Sequence, residues 1–317
     1  MPSGSPVVVI ADPIDARAID ALRSESCTVL DASSGPVALE AALPEAWAIV
    51  VRSRTKVTAS LLERAPRLTL IARAGVGVDN VDLGAAAARG IRVVNAPTAA
   101  TSSVAELTIA LALMLVRGLA AAITSTKSGG WERSTRGGEL AGRTVGLVGY
   151  GRIAREVARR LGPFGARTIA YDPFVTASGD ATEMVPFERL LAESDIVSLH
   201  AAATPENHHL IDARALAQMR SGAFLLNVAR GTLVDEAALL DALRSGRLGG
   251  AALDVYEVEP PMNRELLAHP NVIATPHLGA STPEAQRRAG ALVVDEVRRA
   301  LRGEPLQALV ALPAGGR

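Results

Sequence analysis

The sequence predicts an α/β protein with two doubly wound parallel-sheet domains and a cleft between them. Short β-like runs that are apolar throughout alternate with helical patterns almost from one end of the chain to the other. Such strands are typical of a parallel sheet that helices cover on both faces. A length of 317 residues suits two domains, each with its own core. Ligands of such folds bind in the cleft.

The first series of strands lies in the first hundred residues, and a helix around Ile14–Ser24 follows its first strand. The predicted strands are Val7–Ile10, Thr28–Leu30, Ala48–Val51, Leu68–Ala72 and Arg92–Asn95. We expect a first domain over residues 1–97, which residues 285–317 complete.

An Ala-rich helix is predicted from about Ser102 to Ser125, with almost no charge beyond Glu106 and Arg117. A helix that is apolar most of the way round must be buried by other protein. At 1.5 Å per residue it would be roughly 35 Å long. We therefore expect a spine between domains or subunits, and an element of a dimer.

A second series of strands predicts another domain over residues 98–284. A helix begins at Arg152, after the first of these strands, and a last helix runs from Pro283 to about Arg302. The predicted strands are Thr144–Val148, Thr168–Tyr171, Ile196–Leu199, Ala223–Asn227, Gly250–Asp254 and Val272–Ala274.

The composition excludes several classes of protein. Lys plus Arg and Asp plus Glu number 33 each, so the net charge is zero and gives no indication that the protein binds nucleic acid or an anionic membrane. The single cysteine, Cys27, can form no intrachain disulfide, which suits a reducing compartment. The N-terminus lacks the pattern of a signal peptide, and the apolar segment Leu107–Ala122 is short for a membrane span. We expect a cytoplasmic protein.

A glycine motif follows the strand Thr144–Val148. Gly149 permits a tight turn, Gly151 lets the backbone approach a pyrophosphate, and the amides of Arg152 and Ile153 open a helix whose dipole favours the anion. This strand–turn–helix context predicts a Rossmann dinucleotide site. An ordinary glycine turn is the alternative.

Asp172 ends the second strand of this domain, about twenty residues after the glycines. A carboxylate there accepts hydrogen bonds from the ribose hydroxyls and repels a 2′-phosphate, which predicts NAD over NADP. The alternative is a solvated aspartate.

Three polar residues come just after late strands of the second domain: Arg230 in NVARGTLVDE, Glu259 in ALDVYEVEP and His277 in ATPHLGAST. With GYGRIA, these segments resemble the D-isomer-specific 2-hydroxyacid dehydrogenases in order and spacing, over nearly the whole chain. VRSRTKVT and RAGVGVDNVD resemble most the D-3-phosphoglycerate dehydrogenases of that family. The resemblance implies a flavodoxin-like substrate domain over 1–97 plus 285–317 and a Rossmann NAD domain over 98–284.

The chemistry of a hydroxy acid explains the three residue types. Oxidation removes the hydroxyl proton while a hydride leaves the same carbon. Imidazole has an intrinsic pKa of about 6.5, so His277 suits a base in oxidation and an acid in reduction. Glu259 would stabilise the imidazolium and select its tautomer. Arg230 would bind the carboxylate and the polarised carbonyl.

The resemblance also implies further contacts with the cofactor. Asp254 should face the nicotinamide carboxamide, although a strand-end residue that bonds a loop is the alternative. The other implied cofactor contacts are Val228, Ala229, His277, Gly279, Ala280 and Val76.

A substrate loop is implied at Arg73–Gly77, where the amides of Val76 and Gly77 would bind the carboxylate. Arg52 and Arg73 follow strands of the first domain, and two guanidinium groups suit a dianionic phosphate. Ser53 could add a hydroxyl donor. Ordinary surface charge is the alternative for both arginines.

The sequence departs from the family at three places. Ala201-Ala202 replaces a Pro-containing segment of the adenosine pocket, and Thr98 stands where phosphoglycerate dehydrogenases commonly carry an Asn. The chain also stops near Arg317, so we expect a short form without a regulatory domain.

Three histidines, His200, His208 and His209, lie close in sequence, but no carboxylate or Cys pattern accompanies them, so we predict no metal site.

These observations predict a homodimeric NAD-dependent dehydrogenase of a D-2-hydroxy acid, with 3-phosphoglycerate, oxidised to 3-phosphohydroxypyruvate, as the best candidate. A reductase of hydroxypyruvate or glyoxylate, or an enzyme for a related phosphonate, is the alternative within the class. A non-catalytic NAD(H)-sensing protein is the alternative from another class. We expect no nucleic-acid or membrane partner.

Overall fold

The structure, a computed structural model, describes residues 5–133 and 137–313. The chain forms two compact units, Met1–Ala100 with Ala280–Arg317, and Thr101–Gly279. The functional domain bounds that the sequence suggests, after residues 97 and 284, stay a prediction.

The first unit is built on a five-stranded parallel sheet with the order β2-β1-β3-β4-β5. This is the strand order of flavodoxin-like doubly wound sheets. The strands are β1 Val7–Ile10, β2 Thr28–Asp31, β3 Ala46–Val51, β4 Leu70–Arg73 and β5 Arg92–Val94. The central strands are buried on both faces, as their continuous apolar runs predict.

Two cores lie on either side of this sheet, one lined by residues such as Leu43 and Leu62, the other by residues such as Leu22 and Val293. The helices of this unit are α1 Ala16–Arg23, α2 Pro36–Ala42, α3 Ala59–Glu63, α4 Leu83–Ala88 and α12 Pro283–Arg302. Helix α12 has the predicted bounds because the Thr282 side chain caps its first turn and Gly303, at φ 70°, ends it.

The second unit contains a seven-stranded parallel sheet with the order β12-β11-β10-β9-β6-β7-β8. The strand order reverses next to β6, as in a Rossmann fold. The strands are β6 Thr144–Val148, β7 Arg167–Tyr171, β8 Glu183–Met184, β9 Ile196–Leu199, β10 Ala223–Asn227, β11 Leu248–Leu253 and β12 Val272–Ala274. The fold class predicted from the sequence is therefore confirmed.

The helices of the second unit are α5 Thr101–Arg117, α6 Leu119–Lys127, α7 Arg152–Leu161, α8 Phe187–Glu193, α9 Ala213–Gln218, α10 Glu236–Arg244 and α11 Arg264–Ala268. Single turns of 3₁₀ helix occur in the two units at Leu43–Glu45, Gly162–Phe164, Pro205–Asn207 and Gly231–Leu233.

The single long helix predicted from about Ser102 to Ser125 is wrong. Gly118 adopts φ 60° and separates α5 from α6, which diverge by 71°. A glycine reaches this left-handed conformation at no steric cost, so it ends a helix readily. Helix α5 is largely buried, whereas no residue of α6 is. Among the described residues no single helix has the length and apolar composition of a membrane span. Helices α5 and α6 reach that length and composition only when they are counted together across their bend.

Candidate active site

The glycine turn between β6 and α7 forms as the sequence predicts. Gly149 lies at φ 86°, and a Cβ there would come within 2.7 Å of the backbone N of Ala201. A Cβ at Gly151 would meet nothing within 4 Å, so the space beside it is open. No side chain caps α7, which leaves the amides of Arg152 and Ile153 available to an anion. These features fit a dinucleotide pyrophosphate.

Asp172, directly after β7, is held by the same turn. Its carboxylate accepts the N–H of Tyr150 at 2.8 Å and the N–H of Phe174 at 2.9 Å. Each oxygen keeps a further lone pair, which suits the hydroxyls of a ribose. The position and chemistry of this carboxylate fit the predicted NAD site.

Tyr150 anchors the segment that follows Asp172. Its hydroxyl donates to Asp180 at 2.7 Å and lies 2.7 Å from the hydroxyl of Thr182, while the guanidinium of Arg155 lies 4.5 Å from the ring centroid. Burial raises the pKa of Tyr150 to about 12, and the neighbouring Asp180 adds to the rise. The phenol therefore stays a hydrogen-bond donor.

Ala201 lies against the glycine turn through its backbone, since both its N and its Cα would touch a Cβ at Gly149. The preceding residue, His200, is half-buried, and desolvation of its ring lowers its pKa to about 4. The departure at Ala201 thus leaves the backbone packing of the turn in place.

Glu259 and His277 are brought together by loops that follow neighbouring strands, β11 and β12. Nδ1 of His277 lies 2.9 Å from Oε2 and 3.1 Å from Oε1 of Glu259. The imidazole is half exposed, with 51% of its side chain accessible, so it can meet a ligand. A proton on Nδ1 that faces the carboxylate leaves Nε2 as the free base.

Asp254 fixes the turn that carries His277. The turn is left-handed, with φ 53° at His277, and the buried carboxylate accepts the N–H of Leu278 at 2.7 Å and of Gly279 at 2.8 Å. The hydroxyl of Thr275 donates to the same group at 2.6 Å. Asp254 is therefore a strand-end residue that bonds a loop, which is the alternative to a contact with the nicotinamide carboxamide. The predicted contact of Asp254 with a carboxamide stays a prediction.

Arg230 follows β10 and its loop contacts the loop of Glu259. The next residue, Gly231, packs so tightly on the peptide between Tyr256 and Glu257 that a Cβ there would overlap with it. The side chain of Arg230 is half-buried, and its Nη1 donates to the carbonyl of Ala229 at 2.7 Å. The three predicted catalytic residues therefore lie on connected loops.

Apart from Val76, the remaining predicted cofactor residues occupy two short segments. Val228 and Ala229 are buried directly after β10, where Asn227 Oδ1 accepts the N–H of Ala229 at 3.1 Å. Gly279 is buried beside Asp254, and Ala280 is exposed.

In the first unit, Asp12 organises the loop of Arg52 and Ser53. This buried carboxylate accepts the N–H of Arg52 at 2.7 Å, the hydroxyl of Thr55 at 2.7 Å and Nε of Arg54 at 3.3 Å. Burial raises the pKa of Asp12, but the hydrogen bonds from Thr55, Arg52 and Arg54 outweigh it and the pKa is lowered. Sequence reasoning missed this role because Asp12 lies some forty residues earlier in the chain.

Arg73 lies over the backbone of its own loop. A Cβ at Gly75 would overlap with the guanidinium of Arg73, so this side chain occupies the space that a larger residue would take. Asn95 Nδ2 donates to the carbonyl of Val76 at 2.6 Å, which orients the Val76–Gly77 peptide. This peptide is half-exposed, as a carboxylate-binding loop must be.

Asn80 joins the two substrate loops. Its Nδ2 donates to the carbonyls of Arg52 at 2.7 Å and of Thr55 at 2.6 Å. The two arginines lie at the ends of adjacent strands, since Arg52 follows Val51 of β3 and Val51 is paired with Arg73, the last residue of β4. The structure thus brings together the predicted residues at this edge of the first sheet.

Two carboxylates lie close to His209, one of the three histidines for which the sequence predicts no metal site. His209 lies with Asp235 and Glu257 so that one donor atom of each falls within 4.8 Å of the others. The three come from separate segments, which is why their proximity was not visible in the sequence. The prediction that no metal binds stays a prediction. Nε2 of His209 lies 3.1 Å from Oε1 of Glu257, and its Nδ1 lies 3.9 Å from Oδ2 of Asp235.

Comparison with known proteins identifies the family. Residues 109–279 match the sequence model of the NAD binding domain of D-isomer specific 2-hydroxyacid dehydrogenases. A hydroxypyruvate reductase of Thermotoga maritima is 43% identical over 299 residues, which cover 93% of this chain and 98% of that one. The chain belongs to the D-isomer specific 2-hydroxyacid dehydrogenase family, and this second unit is an NAD-binding domain.

Two further relatives bear on the subgroup and the fold. A D-3-phosphoglycerate dehydrogenase of Mycobacterium leprae is 48% identical over 303 residues, or 94% of this chain, and the match spans only 57% of its length. The crystal structure of the TT0316 protein of Thermus thermophilus has a TM-score of 0.88 and 36% identity, and the match covers 96% of this chain and 100% of that one.

Proposed function

We propose that the chain is an NAD-dependent oxidoreductase that transfers a hydride between nicotinamide and C2 of a D-2-hydroxy acid, with 3-phosphoglycerate as the best substrate and 3-phosphohydroxypyruvate as its product. The observation that carries the proposal is the 2.9 Å contact between His277 and Glu259 in a chain of this family. The Arg230 loop packs against the loop of that glutamate.

Each residue has a separate task in the proposed reaction. Nε2 of His277 takes the proton of the substrate hydroxyl, and Glu259 stabilises the positive charge that then develops on the imidazole. Arg230 binds the oxygen atoms of the substrate and favours the polarised carbonyl. The nicotinamide, when bound, accepts the hydride in oxidation and donates it in reduction.

The cofactor preference rests on Asp172 and the glycine turn. A carboxylate at the ribose accepts hydrogen bonds from two hydroxyls but repels a phosphate. We therefore propose NAD, held by the turn at Gly149 and Gly151.

A phosphorylated substrate is supported by the arginines of the first unit. Arg52 follows β3, and Arg73 ends the adjacent strand β4, just before the Val76–Gly77 peptide that would bind a carboxylate. Arg54 adds a third guanidinium, but Asp12 already pairs with it. The guanidinium groups of Arg52 and Arg73 together match a dianionic phosphate better than a single carboxylate.

The decisive experiment is a substrate panel on the purified protein. Initial rates with NAD are compared for 3-phosphoglycerate, glycerate and lactate, and rates with NADH for hydroxypyruvate and glyoxylate. We expect the highest kcat/KM for 3-phosphoglycerate. Faster reduction of hydroxypyruvate or glyoxylate would favour a reductase, which the Thermotoga maritima relative makes the second candidate. Tight NADH binding without any turnover would instead identify a sensor.

The assembly we propose is a cytoplasmic homodimer. Helix α6 has no buried residue yet carries Leu119 and Ile123, which are 37% and 47% exposed, and Trp131 beyond it is 80% exposed. Apolar side chains of this kind are typical of surfaces that a partner covers. Sedimentation velocity tests the dimer, and a monomer at all concentrations would refute it.

A further inference from the structure

Glu236 and Glu257 form a reciprocal pair of hydrogen bonds outside the proposed catalytic residues. The N–H of Glu236 donates to Oε1 of Glu257 at 3.0 Å, and the N–H of Glu257 donates to Oε1 of Glu236 at 2.9 Å. Glu236 opens α10, and Glu257 belongs to the loop after β11. Each carboxylate thus holds the backbone of the other residue. We call this arrangement the glutamate pair.

The imidazole of His209 lies next to the glutamate pair. Two carboxylates that lie close repel each other. Nε2 of His209 is shielded from solvent and lies 3.1 Å from Oε1 of Glu257, without the alignment of a hydrogen bond. Its Nδ1 lies 3.9 Å from Asp235, which caps α10. A protonated imidazole would therefore offset the negative charge at this point.

His209 itself is held in an unusual conformation. Its φ of 51° is in the left-handed region, which is uncommon for a residue other than glycine. Its N–H donates to the carbonyl of Thr232 at 2.8 Å, in the turn after Arg230. The ring also stacks on His208, with centroids 4.0 Å apart. The imidazole is thus placed against the pair by several contacts.

The peptide between Tyr256 and Glu257 connects the glutamate pair to the proposed reaction centre. Gly231 packs on this peptide, and Glu236 accepts its N–H. The N–H of Tyr256 donates to Oε1 of Glu259 at 3.3 Å, and the same oxygen lies 3.1 Å from Nδ1 of His277. A shift of this peptide would therefore move the carboxylate that faces the imidazole.

We propose that Glu236 and Glu257, with His209, are positioning residues that hold Glu259 against His277. This inference rests on the proposed dehydrogenase function. The pair touches no reacting atom and acts only by keeping the loop of Glu259 in place. Nothing else among the described residues bonds the N–H of Glu257.

The test compares Glu236→Ala with Glu236→Gln. The alanine removes the acceptor for the N–H of Glu257, and we expect kcat to fall about 10- to 100-fold, the effect of a misplacement of about 1 Å. The glutamine retains an oxygen at that position, so it should restore most of the turnover. The affinity for NADH, measured by fluorescence titration, should not change in either variant. Glu188→Ala, an exposed position in the first turn of α8, is the matched control.

A double-mutant cycle with Glu259→Gln separates positioning from general loss of stability. If the pair acts through Glu259, Glu236→Ala should add little to the loss that Glu259→Gln already causes. Full additivity, or a normal kcat in Glu236→Ala, overturns the inference. If Glu236→Ala does not fold, His209→Asn provides the same cycle, because Asn tolerates a positive φ.

The two proposals fail in different ways. Absence of turnover in the unmodified protein with every substrate of the panel refutes the proposed function. Normal turnover in that protein, with Glu236→Ala equally active, refutes only the role of the glutamate pair.

Discussion

The carboxylate of Asp254 accepts the backbone N–H of Gly279 at 2.8 Å and so closes the turn on which His277 lies. The adjacent N–H of Leu278 donates to the other oxygen of the same group. A left-handed residue such as His277 persists only where its surroundings hold it. Asp254 therefore contributes to the site through the backbone.

We predict that Asp254→Ala lowers the free energy of unfolding by about 2–4 kcal/mol, because two backbone N–H donors, one of them buried, and the Thr275 hydroxyl lose their acceptor. Turnover should fall in parallel, since the imidazole is no longer held. Urea unfolding and steady-state rates measure the two effects. Asp254→Asn keeps one oxygen and should lose less of both. A variant with unchanged stability and a raised KM for NADH alone would point instead to a direct cofactor contact.

We predict that His277→Ala lowers kcat by about 10²–10⁴-fold, the usual contribution of a general acid–base group. Binding of NADH should be retained, because the glycine turn and Asp172 are untouched. Stopped-flow rates and NADH fluorescence measure these quantities. His269→Gln, a histidine at the end of α11, serves as the control. A loss of only a few-fold in His277→Ala would count against the assignment.

Gly75→Ala should raise the KM for an anionic substrate without preventing folding. The new methyl group displaces the guanidinium of Arg73, the end of a flexible side chain. Loss of one charge-assisted contact is worth about 1.5–3 kcal/mol, or roughly 10- to 100-fold in KM. Gly84→Ala, where a Cβ meets only an ordinary contact at 3.5 Å, is the control. Arg73→Ala should add little in the Gly75→Ala background, and an unaltered KM in Gly75→Ala would show that Arg73 does not bind substrate.

Replacing Asp172 should reduce the preference for NADH over NADPH. Asp172→Asn removes the charge that repels a 2′-phosphate but keeps an oxygen for the N–H of Tyr150. We expect the ratio of the two kcat/KM values to fall about tenfold or more, which corresponds to about 1.4 kcal/mol. Equal rates with the two cofactors in the unmodified protein would refute the NAD preference.

The desolvated ring of His200 should make stability depend on pH. Its folded pKa of about 4 lies below the ordinary value of 6.5. Between these values the unfolded chain binds a proton that the folded protein excludes, so stability falls as the pH is lowered from about 6.5 to about 4, by up to about 3 kcal/mol. Below pH 4 this contribution does not grow further.

The measurement is urea unfolding at a series of pH values for the unmodified protein and for His200→Gln. The variant should show a smaller loss of stability over that pH window, whereas His269→Gln should behave as the unmodified protein does. Parallel curves for all three proteins would contradict the effect of desolvation at His200.

Much of the fold was predictable because local signals and tertiary structure agree. Strand β6 and helix α12 have the predicted bounds: one is an uninterrupted apolar run, and the other has Thr282 and Gly303 at its ends. The break at Gly118 was missed because a lone glycine is also tolerated within a helix. Strand β8, with two residues, is too short to show a pattern.

The candidate site divides in the same way. Arg230, Glu259 and His277 could be selected because each follows a strand and shares its chemistry with a known family. The residues that hold these three side chains in place could not be selected from the sequence. Asp12 forms hydrogen bonds with a loop forty residues later in the chain, and Glu236 accepts the N–H of Glu257, which lies twenty-one residues later. Such pairs depend on strand order and register, which spacing in the sequence does not reveal.

The bond between the Tyr150 N–H and Asp172 has a consequence for redesign of the cofactor preference. The group that would select the sugar and the turn that would receive the diphosphate are one hydrogen-bonded unit. Replacing Asp172 with a small neutral residue, together with a new cationic side chain for the extra phosphate, also removes the acceptor that holds the Tyr150 N–H in the turn. A successful switch to NADP therefore requires a substitute acceptor for that amide, installed before any new positive charge.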